Sequence, residues 1–308
     1  MPHYAVRQTH CPSEWADLFA RVPHPHQVQS WAYGEAKRQT GWHPRRLVIE
    51  RDGGPVALCL VLDVRVPGMR LASRINRGPM LLQTGEPDVE GIHRALRRGW
   101  RQRGPLLIGP ALPSDGTQAP RMRAAGYRPL RQPGWGSAYL DLSLSEQQLR
   151  KNLTSRWRNH LSVSERRGLT LRVSTEDADA AWLLDRHAEN MREKGFKKPT
   201  PALVRALRAA APEDFLVFQA CLDGAPVGGA AVVRFGHAAE YYIAWYGPEG
   251  RKANAGNFLL WHAALEMRRR GCRSFDLGGI SEGTGYSGFK RPMNGVNYLL
   301  LGEWVSLW

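Results

Sequence analysis

The chain contains short, mainly apolar runs separated by polar residues, a pattern that is typical of β-strands. One arrangement of these runs occurs in both halves of the chain. Residues 47–62 (LVIERDGGPVALCLVL) and 217–233 (VFQACLDGAPVGGAAVV) each combine two such runs around an Asp-Gly pair. The two Asp-Gly pairs lie 171 residues apart, and Pro-Val follows each of them. The pattern predicts the same β-hairpin in each half.

Further landmarks follow each hairpin in the same order. Gly78-Pro79 and Gly247-Pro248 each end a stretch that predicts a third strand. The segments 92–109 and 260–279 each predict a helix that ends on Arg-Gly and leads into a short strand. Landmarks at nearly constant offset predict two copies of one α/β unit with the order hairpin, strand, helix, strand.

The domain boundary is predicted near 131–139 (RQPGWGSAY), where proline and glycine interrupt the periodicity. We therefore expect a first domain over 1–134 and a second over 135–295. The strand-like run at 296–308 is left over, and we expect it to complete the first domain.

Helical segments are predicted before the hairpin of each half. A helix over 30–42 has Ser30 as its N-cap, and helices over 143–153 and 155–168 end with Gly168 as a C-cap. A strand over 169–174 and helices over 176–194 and 200–211 follow. Near the end of the chain, the residues from Asp276 to Gly295 predict a glycine-rich loop.

Charge narrows the class of partner more than composition does. The chain of 308 residues carries 43 basic and 28 acidic side chains, a formal net charge of +15. A field of this sign attracts polyanions such as nucleic acid, anionic lipid or phosphorylated metabolites. Four scattered cysteines without a C-x-x-C pair favour a reducing compartment over a disulfide framework.

The repeated order of elements resembles the N-acyltransferase core of the acetyl-coenzyme A type (GNAT), which implies an α/β fold with mixed sheets and two tandem GNAT-like acyltransferase domains. Such a core places a loop rich in backbone N–H groups where it holds a pyrophosphate. Here that position holds PEGRKANAGNFLL (248–260), which has Arg251 and Lys252 but lacks the tight glycine spacing. Neither half contains the residue pattern that is typical of a coenzyme A site, and we expect no cofactor.

Several segments resemble the Fem-type family (FemA, FemB and FemX), the aminoacyl-tRNA-dependent transferases that build peptidoglycan side bridges. These segments are QVQSWAYGEAKRQTGW (27–42), KNLTSRWRNHLSVSERRGL (151–169), YYIAWYGPEGRKANAGNFLLW (241–261), and above all CRSFDLGGI (272–280) followed by FKR (289–291). No segment between 151 and 194 is long enough for the extended helical arm of some members. The resemblance is therefore greatest to the armless, FemX-like form.

The resemblance implies transfer of an amino acid from aminoacyl-tRNA to an amine on the stem peptide of a nucleotide- or lipid-linked peptidoglycan precursor. Lys290 matches the lysine that stabilises the tetrahedral intermediate, and a compact ammonium suits an oxyanion better than a planar guanidinium does. Phe289 and Arg291 flank it and are candidates for binding the tRNA end. Asp276 is a second catalytic candidate, although it also suits holding the Gly278-Gly279 turn.

Four further residues are candidates for substrate binding. Lys37 matches a family lysine that contacts the precursor's phosphates, and Lys198 stands where the family has an arginine for the same purpose. Arg251 and Tyr242 are the other two, Tyr242 as part of an aromatic wall in the run YYIAWY (241–246) that otherwise suits a core. No residue spacing predicts a metal site.

Three alternatives stay open. One is a tRNA-dependent ligase that acts on a small peptide natural product, and another is an acyl-coenzyme A-dependent N-acyltransferase. The third, from a different class, is a non-catalytic basic RNA-binding module. The N-terminus has no signal-peptide pattern and no apolar run reaches the length of a membrane span, so we expect a cytoplasmic protein with at most peripheral membrane contact.

Overall fold

The computed structural model describes residues 2–66, 69–82, 88–100, 104–131, 133–197, 199–280 and 285–307. The chain forms two compact units. Residues 1–136 together with 298–308 form the first unit, and residues 137–297 form the second. The join predicted from the sequence lies between 134 and 135, two residues earlier.

The elements up to the join, in chain order, are β1 (Tyr4–Thr9), α1 (Pro12–Ala20), a 3₁₀ helix (Gln27–Gln29), α2 (Trp31–Gln39), β2 (His43–Arg51), β3 (Gly54–Val66), β4 (Met69–Asn76), β5 (Met80–Leu81), α3 (Val89–Trp100), β6 (Leu106–Gly109), α4 (Gln118–Ala124) and β7 (Arg128–Arg131).

The elements from the join onward are β8 (Gly136–Asp141), α5 (Glu146–Asn152), α6 (Ser155–Arg166), β9 (Thr170–Ser174), α7 (Asp177–Lys194), α8 (Pro201–Ala210), β10 (Phe215–Leu222), β11 (Ala225–Phe235), β12 (Ala238–Tyr246), α9 (Pro248–Lys252), α10 (Ala255–Arg269), β13 (Ser274–Asp276), α11 (Gly285–Lys290), a 3₁₀ helix (Arg291–Met293), β14 (Val296–Leu299) and β15 (Glu303–Ser306).

The two sheets repeat one strand order. The first runs β1-β2-β3-β4-β6-β15-β7 with β5 paired to β3, and the second runs β9-β10-β11-β12-β13-β8-β14. In each sheet the hairpin and third strand are antiparallel, whereas β4 pairs with β6 and β12 pairs with β13 in parallel. A helix connects each parallel pair, as such a crossover requires. The duplicated α/β unit predicted from the sequence is therefore present.

Both hairpins turn on the predicted Asp-Gly pairs. Asp52 and Gly53 have φ of 51° and 82°, and Asp223 and Gly224 have φ of 50° and 79°. Two consecutive residues with positive φ match the right-handed twist of the strands that they join, and Asp-Gly tolerates this conformation. The turn chemistry therefore sets the register of both hairpins.

Each sheet carries its own apolar core. In the second unit, α10 and α6 pack against the sheet, and Trp157, Leu161 and Trp261 are among the buried side chains there. In the first unit, α3 and α4 contribute Leu96, Trp100 and Met122 to the core. Periodic apolar positions on these helices produce one buried side each.

Two sequence-based expectations need correction near the end of the chain. Lys290 does not lie in an open loop but ends α11, and a 3₁₀ helix follows it directly. The run at 296–308 is two short strands rather than one: β14 joins the second sheet, and only β15 inserts between β6 and β7 of the first. Gly302, with positive φ, interrupts this run between β14 and β15. Among the described residues, no helix is both long and apolar enough to cross a membrane.

Candidate active site

The parallel pairing of β12 with β13 in the second unit ends at two acidic residues that lie side by side. Glu240 of β12 is the register partner of Asp276 of β13. Neighbouring positions of this kind place their side chains on the same face of a sheet. Glu240 is buried, and an acid in a buried position needs a compensating donor or charge.

Asp276 organises the turn that follows β13. Its Oδ1 accepts the backbone N–H of Gly278 at 2.7 Å and the hydroxyl of Ser137 at 2.6 Å. The first of these contacts is the one predicted from the sequence. A carboxylate that accepts a backbone N–H fixes the direction of the peptide groups that follow, so Asp276 sets where the carbonyls of Gly278 and Gly279 point.

Gly278 has no room for a side chain. Its φ is +69°, and a Cβ atom at this position would lie 2.3 Å from the carbonyl oxygen of Tyr241. The turn therefore presses directly against the backbone of β12. Only glycine combines this backbone conformation with so close an approach.

The side chain of Lys290 reaches into this turn. Its Nζ donates to the carbonyl of Gly278 at 3.0 Å and lies 3.5 Å from that of Gly279. Lys290 is buried, with 7% of its surface exposed. A lysine so enclosed is uncommon unless it is paired, and here carbonyl dipoles and nearby carboxylates supply the compensation.

Burial also changes the proton affinity of this amine. Loss of solvent lowers the pKa of Lys290 to about 8, while the negative charges of Asp276 and Glu240 act in the opposite direction. Desolvation disfavours the charged form and an anion favours it, so the two effects compete at one atom. Near neutral pH the amine is charged but holds its proton less tightly than an exposed lysine does.

The segment that carries Lys290 is anchored to α6. The indole Nε1 of Trp157 donates to the carbonyl of Phe289 at 3.0 Å, and the rings of these two residues stack with centroids 6.5 Å apart. The backbone N–H of Thr154 donates to the carbonyl of Pro292 at 3.0 Å. These contacts on either side of Lys290 hold its backbone in place.

The aromatic run on β12 divides between the core and the surface. The strand has a bulge, since Tyr241 pairs with Val232 and Ile243 with Ala231, which leaves Tyr242 as the extra residue. Tyr241 is buried, 5.8 Å from its ring centre to the Nζ of Lys290, and its hydroxyl lies 2.6 Å from that of Tyr246. Tyr242 is half-buried.

The remaining candidates fall in different places. Lys37 lies in the first unit on α2, with its Nζ 4.8 Å from the centre of the Trp42 ring. Arg251 is exposed on α9, and Arg291 is exposed directly after Lys290. Lys198 lies outside the described residues.

The segment that would cradle a pyrophosphate in a coenzyme A-dependent relative is helical here. The backbone N–H groups of Arg251, Ala253 and Asn254 donate to the carbonyls of Gly247, Glu249 and Arg251 in turn. A phosphate-binding loop needs N–H groups that point outward together. These three are already used within α9 and the turn that follows it.

Sequence reasoning missed Glu240 and the Tyr241–Tyr246 pair. Glu240 stands in the run AAEYYIAWY (238–246), where one acid interrupts an otherwise apolar strand. That interruption is a usable signal, because a buried acid in a central strand must have a specific reason. The hydroxyl pair depends on the bulge, which the sequence does not reveal.

Comparison with known proteins supports the predicted class, an acyltransferase. Residues 147–291 match the family model described as an acetyltransferase (GNAT) domain. The chain is similar in structure to FemX, with a TM-score of 0.82 at 17% identity over 98% of this chain and 97% of that one. None of the curated proteins matches the sequence.

Two other solved structures are similar over nearly their full lengths. A tandem GNAT protein from the clavulanic acid biosynthesis pathway has a TM-score of 0.56 at 17% identity, covering 99% of this chain and 98% of that one. The C-terminal domain of a putative lysylphosphatidylglycerol synthetase from Agrobacterium fabrum has a TM-score of 0.58 at 14% identity, covering 96% and 92%.

The fold is thus that of two tandem GNAT-like domains, each built on a mixed sheet. The matches support an acyltransferase. Within that class, the fold is shared with FemX along almost the whole chain.

Proposed function

We propose that the protein is an aminoacyltransferase that moves an amino acid from aminoacyl-tRNA to an amine on the stem peptide of a peptidoglycan precursor. The precursor is phosphorylated, as a nucleotide- or lipid-linked molecule. The donor is tRNA rather than acyl-coenzyme A, and the chain represents the armless, FemX-like form of a Fem-type transferase.

One observation carries the proposal: a buried ammonium lies at the carboxyl end of β13, where the parallel pairing with β12 stops and the Gly278-Gly279 turn holds it. Lys290 has hydrogen bonds to that turn and lies near two carboxylates. An ammonium that is fixed and shielded from water stabilises developing negative charge far better than an exposed one, because little reorganisation is needed. The likeness to FemX over nearly the whole chain and the net charge of +15 agree with a tRNA donor.

The reaction forms one amide bond and breaks one ester bond. The neutral amine of the acceptor attacks the ester carbonyl carbon, and the carbonyl oxygen gains negative charge in the tetrahedral intermediate. Lys290 in its charged form stabilises that oxygen or the departing ribose oxygen. Collapse of the intermediate expels the ribose oxygen, which takes up the proton that the amine has lost, so the overall transfer consumes no other reactant.

Asp276 has a positioning role in this mechanism. Its oxygen holds the turn, and its charge favours the protonated form of Lys290. Phe289 and Arg291 contribute to binding of the tRNA end. Lys37, Lys198, Tyr242 and Arg251 contribute to binding of the acceptor and its phosphates.

The direct test supplies charged tRNAs one at a time with a nucleotide-linked stem peptide and follows the product by mass spectrometry. Lys290→Ala is expected to lower kcat by about 10²- to 10³-fold, the usual effect of losing one oxyanion donor, while tRNA affinity stays within about threefold. Lys194→Ala removes an exposed lysine from α7 of the same unit and serves as the matched control.

Two results would contradict the proposal. Micromolar binding of coenzyme A by calorimetry would favour a conventional acyl-coenzyme A donor. Full turnover by a folded Lys290→Ala variant would remove Lys290 from the chemistry. If transfer occurs only to a small peptide, the donor assignment stands and the acceptor is that of a peptide ligase.

A further inference from the structure

Helix α6 has one buried and one basic side. Trp157, Leu161 and Ser164 are buried at positions i, i+4 and i+7. Arg166 is exposed on the opposite side, and Arg156 is exposed on the flank, about 100° around the helix from Trp157. We call the exposed basic residues of this region, Lys151, Arg156, Arg166 and Arg167, the α6 face.

Most of this positive charge is not neutralised by nearby acids. The acidic residue of α6, Glu165, is held by Arg150 through two contacts of 3.0 and 2.8 Å. Within the described part of the chain, Lys151, Arg156 and Arg166 form no ion pair. By contrast, the exposed Arg269 and the neighbouring Arg270 at the end of α10 both bind Glu266. An unneutralised basic surface is the usual footprint of a polyanion site.

The basic charge also continues beyond the helix. Arg167 directs its Nη1 to the backbone carbonyl of Lys252 at 2.7 Å, next to the exposed Arg251 of α9. Arg156 and Arg167 are eleven residues apart, which is close to three turns, so they share one side of the helix about 16 Å apart. That span is long enough to face several phosphates of a nucleic-acid backbone.

The α6 face is structurally joined to the lysine of the candidate active site. Trp157 donates to the carbonyl of Phe289, Thr154 to that of Pro292, and the side chain of Asn294 to the carbonyl of Asn152. These three bonds tie the start of α6 to the residues on both sides of Lys290. A ligand bound along the helix therefore has a defined position relative to the Lys290 amine.

We propose that the α6 face is a docking surface for the phosphate backbone of double-helical RNA, here the acceptor stem of the tRNA donor. The identity of the RNA rests on the proposed function, whereas the surface itself rests on the contacts above. A membrane surface fits less well, because an interfacial helix directs its apolar side outward and α6 buries that side in the core. Contacts of this kind recognise shape and charge rather than sequence.

The probe is an RNA hairpin with a twelve-base-pair stem and a single-stranded ACCA 3′ end that carries no amino acid. Its binding is followed by fluorescence anisotropy over a range of salt concentrations. Arg156→Ala/Arg166→Ala is expected to weaken binding about 10-fold or more and to reduce the slope of log K against log salt by about 1 to 2. Arg192→Ala/Arg205→Ala removes two exposed arginines from α7 and α8 of the same unit and is expected to change binding by less than about threefold.

The outcomes separate this inference from the proposed function. Equal losses in the two double variants would overturn the inference, because net charge alone would then explain binding. If Arg156→Ala/Arg166→Ala loses binding to vesicles with 30% phosphatidylglycerol but keeps RNA binding, the inference is overturned in favour of a membrane.

If Arg156→Ala/Arg166→Ala loses RNA binding while the wild type transfers no amino acid, the docking surface stands and the proposed function fails. An unchanged kcat/KM for tRNA in that variant would reject the docking surface alone.

Discussion

In the first unit the parallel pair β4–β6 ends on Asn76 opposite Gly109, whereas in the second unit the pair β12–β13 ends on Glu240 opposite Asp276. The strand order around these pairs is the same. One sheet therefore presents neutral groups at this edge, and the other presents two acids beside a buried lysine. The duplicated strand order places the end of the parallel pairing at the same position in both sheets, and the residues at that position determine whether it carries charge.

Both units nevertheless bury charge. In the first unit, Arg45 and Asp63 form a bidentate pair at 2.8 and 3.1 Å, and the hydroxyl of Ser73 adds a third contact to Asp63 at 2.7 Å. That pair satisfies the buried carboxylate, and the guanidinium of Arg65 adds a longer contact to Asp63 at 3.6 Å. In the second unit, backbone carbonyls hold the lysine at the strand ends, and its pKa is lowered to about 8. A completed pair suits stability, and a lysine with a lowered pKa suits chemistry.

The largest effect is expected from breaking the pair of the first unit. Arg45→Met leaves Asp63, which is fully buried, without its main partner, and the free energy of unfolding should fall by about 3–5 kcal/mol. Urea titration measures this change. Arg94→Met, which breaks an exposed pair with Glu90, should change stability by less than about 1 kcal/mol.

A double variant checks the reason for that loss. Arg45→Met/Asp63→Leu removes the uncompensated charge and should recover much of the stability. If the double variant is as unstable as Arg45→Met, packing rather than charge explains the loss, and the contrast between the two units is weakened.

The next effect comes from the two glycines near the strand ends. Gly278→Ala places a Cβ atom 2.3 Å from the Tyr241 carbonyl at positive φ, so we expect a loss of about 2–4 kcal/mol and of activity. At Gly109 the nearest atoms to an added Cβ lie 3.9 Å away, so Gly109→Ala should cost less than about 1 kcal/mol. Thermal unfolding of both variants makes the comparison, and equal losses would show that the edge of the second unit is not specially tight.

Much of the duplicated fold could be predicted from the sequence, since its signals are local. Asp-Gly turns and the Ser30 cap depend on a few neighbouring residues, and each occurs in the structure as expected. Gly168 also ends its helix with a positive φ, but one residue beyond the C-cap Arg167 rather than as the C-cap itself. The lysine was found through its resemblance to a family motif. Its helical setting was not, because glycine-rich sequence at 276–295 predicts a loop and tertiary contacts with Trp157 override that preference.

The electrostatic part of the site could not be predicted in the same way. Glu240 acts on Lys290 from a strand 50 residues earlier in the chain, through the parallel pairing of β12 with β13. The bulge at Tyr242 depends on register, and register depends on packing of the whole sheet. Non-local relations of this kind have no short sequence pattern.

A smaller effect follows from the lowered pKa of Lys290. The folded-state pKa of about 8 lies below the unfolded value of 10.5, so between these values the unfolded chain binds more protons and the free energy of unfolding rises with pH. Relative to Lys290→Met, the wild type should gain on the order of 2 kcal/mol between pH 8 and pH 10. Parallel stability curves for the two proteins over this range would show that Lys290 is not desolvated.

The smallest effect is expected from Glu240, the acid that stands where the first unit has the neutral Asn76. Glu240→Gln removes a negative charge that favours protonated Lys290, so the pKa of the lysine should fall below about 8. Since the charged form stabilises the intermediate, kcat/KM should decline on the alkaline side at a pH lower by roughly half a unit than in the wild type. Asn76→Asp adds a charge at the corresponding edge of the first unit and should leave that alkaline limb unchanged. A shift in both variants would mean that the limb reports overall charge, and a shift in neither would mean that Glu240 does not act on the amine.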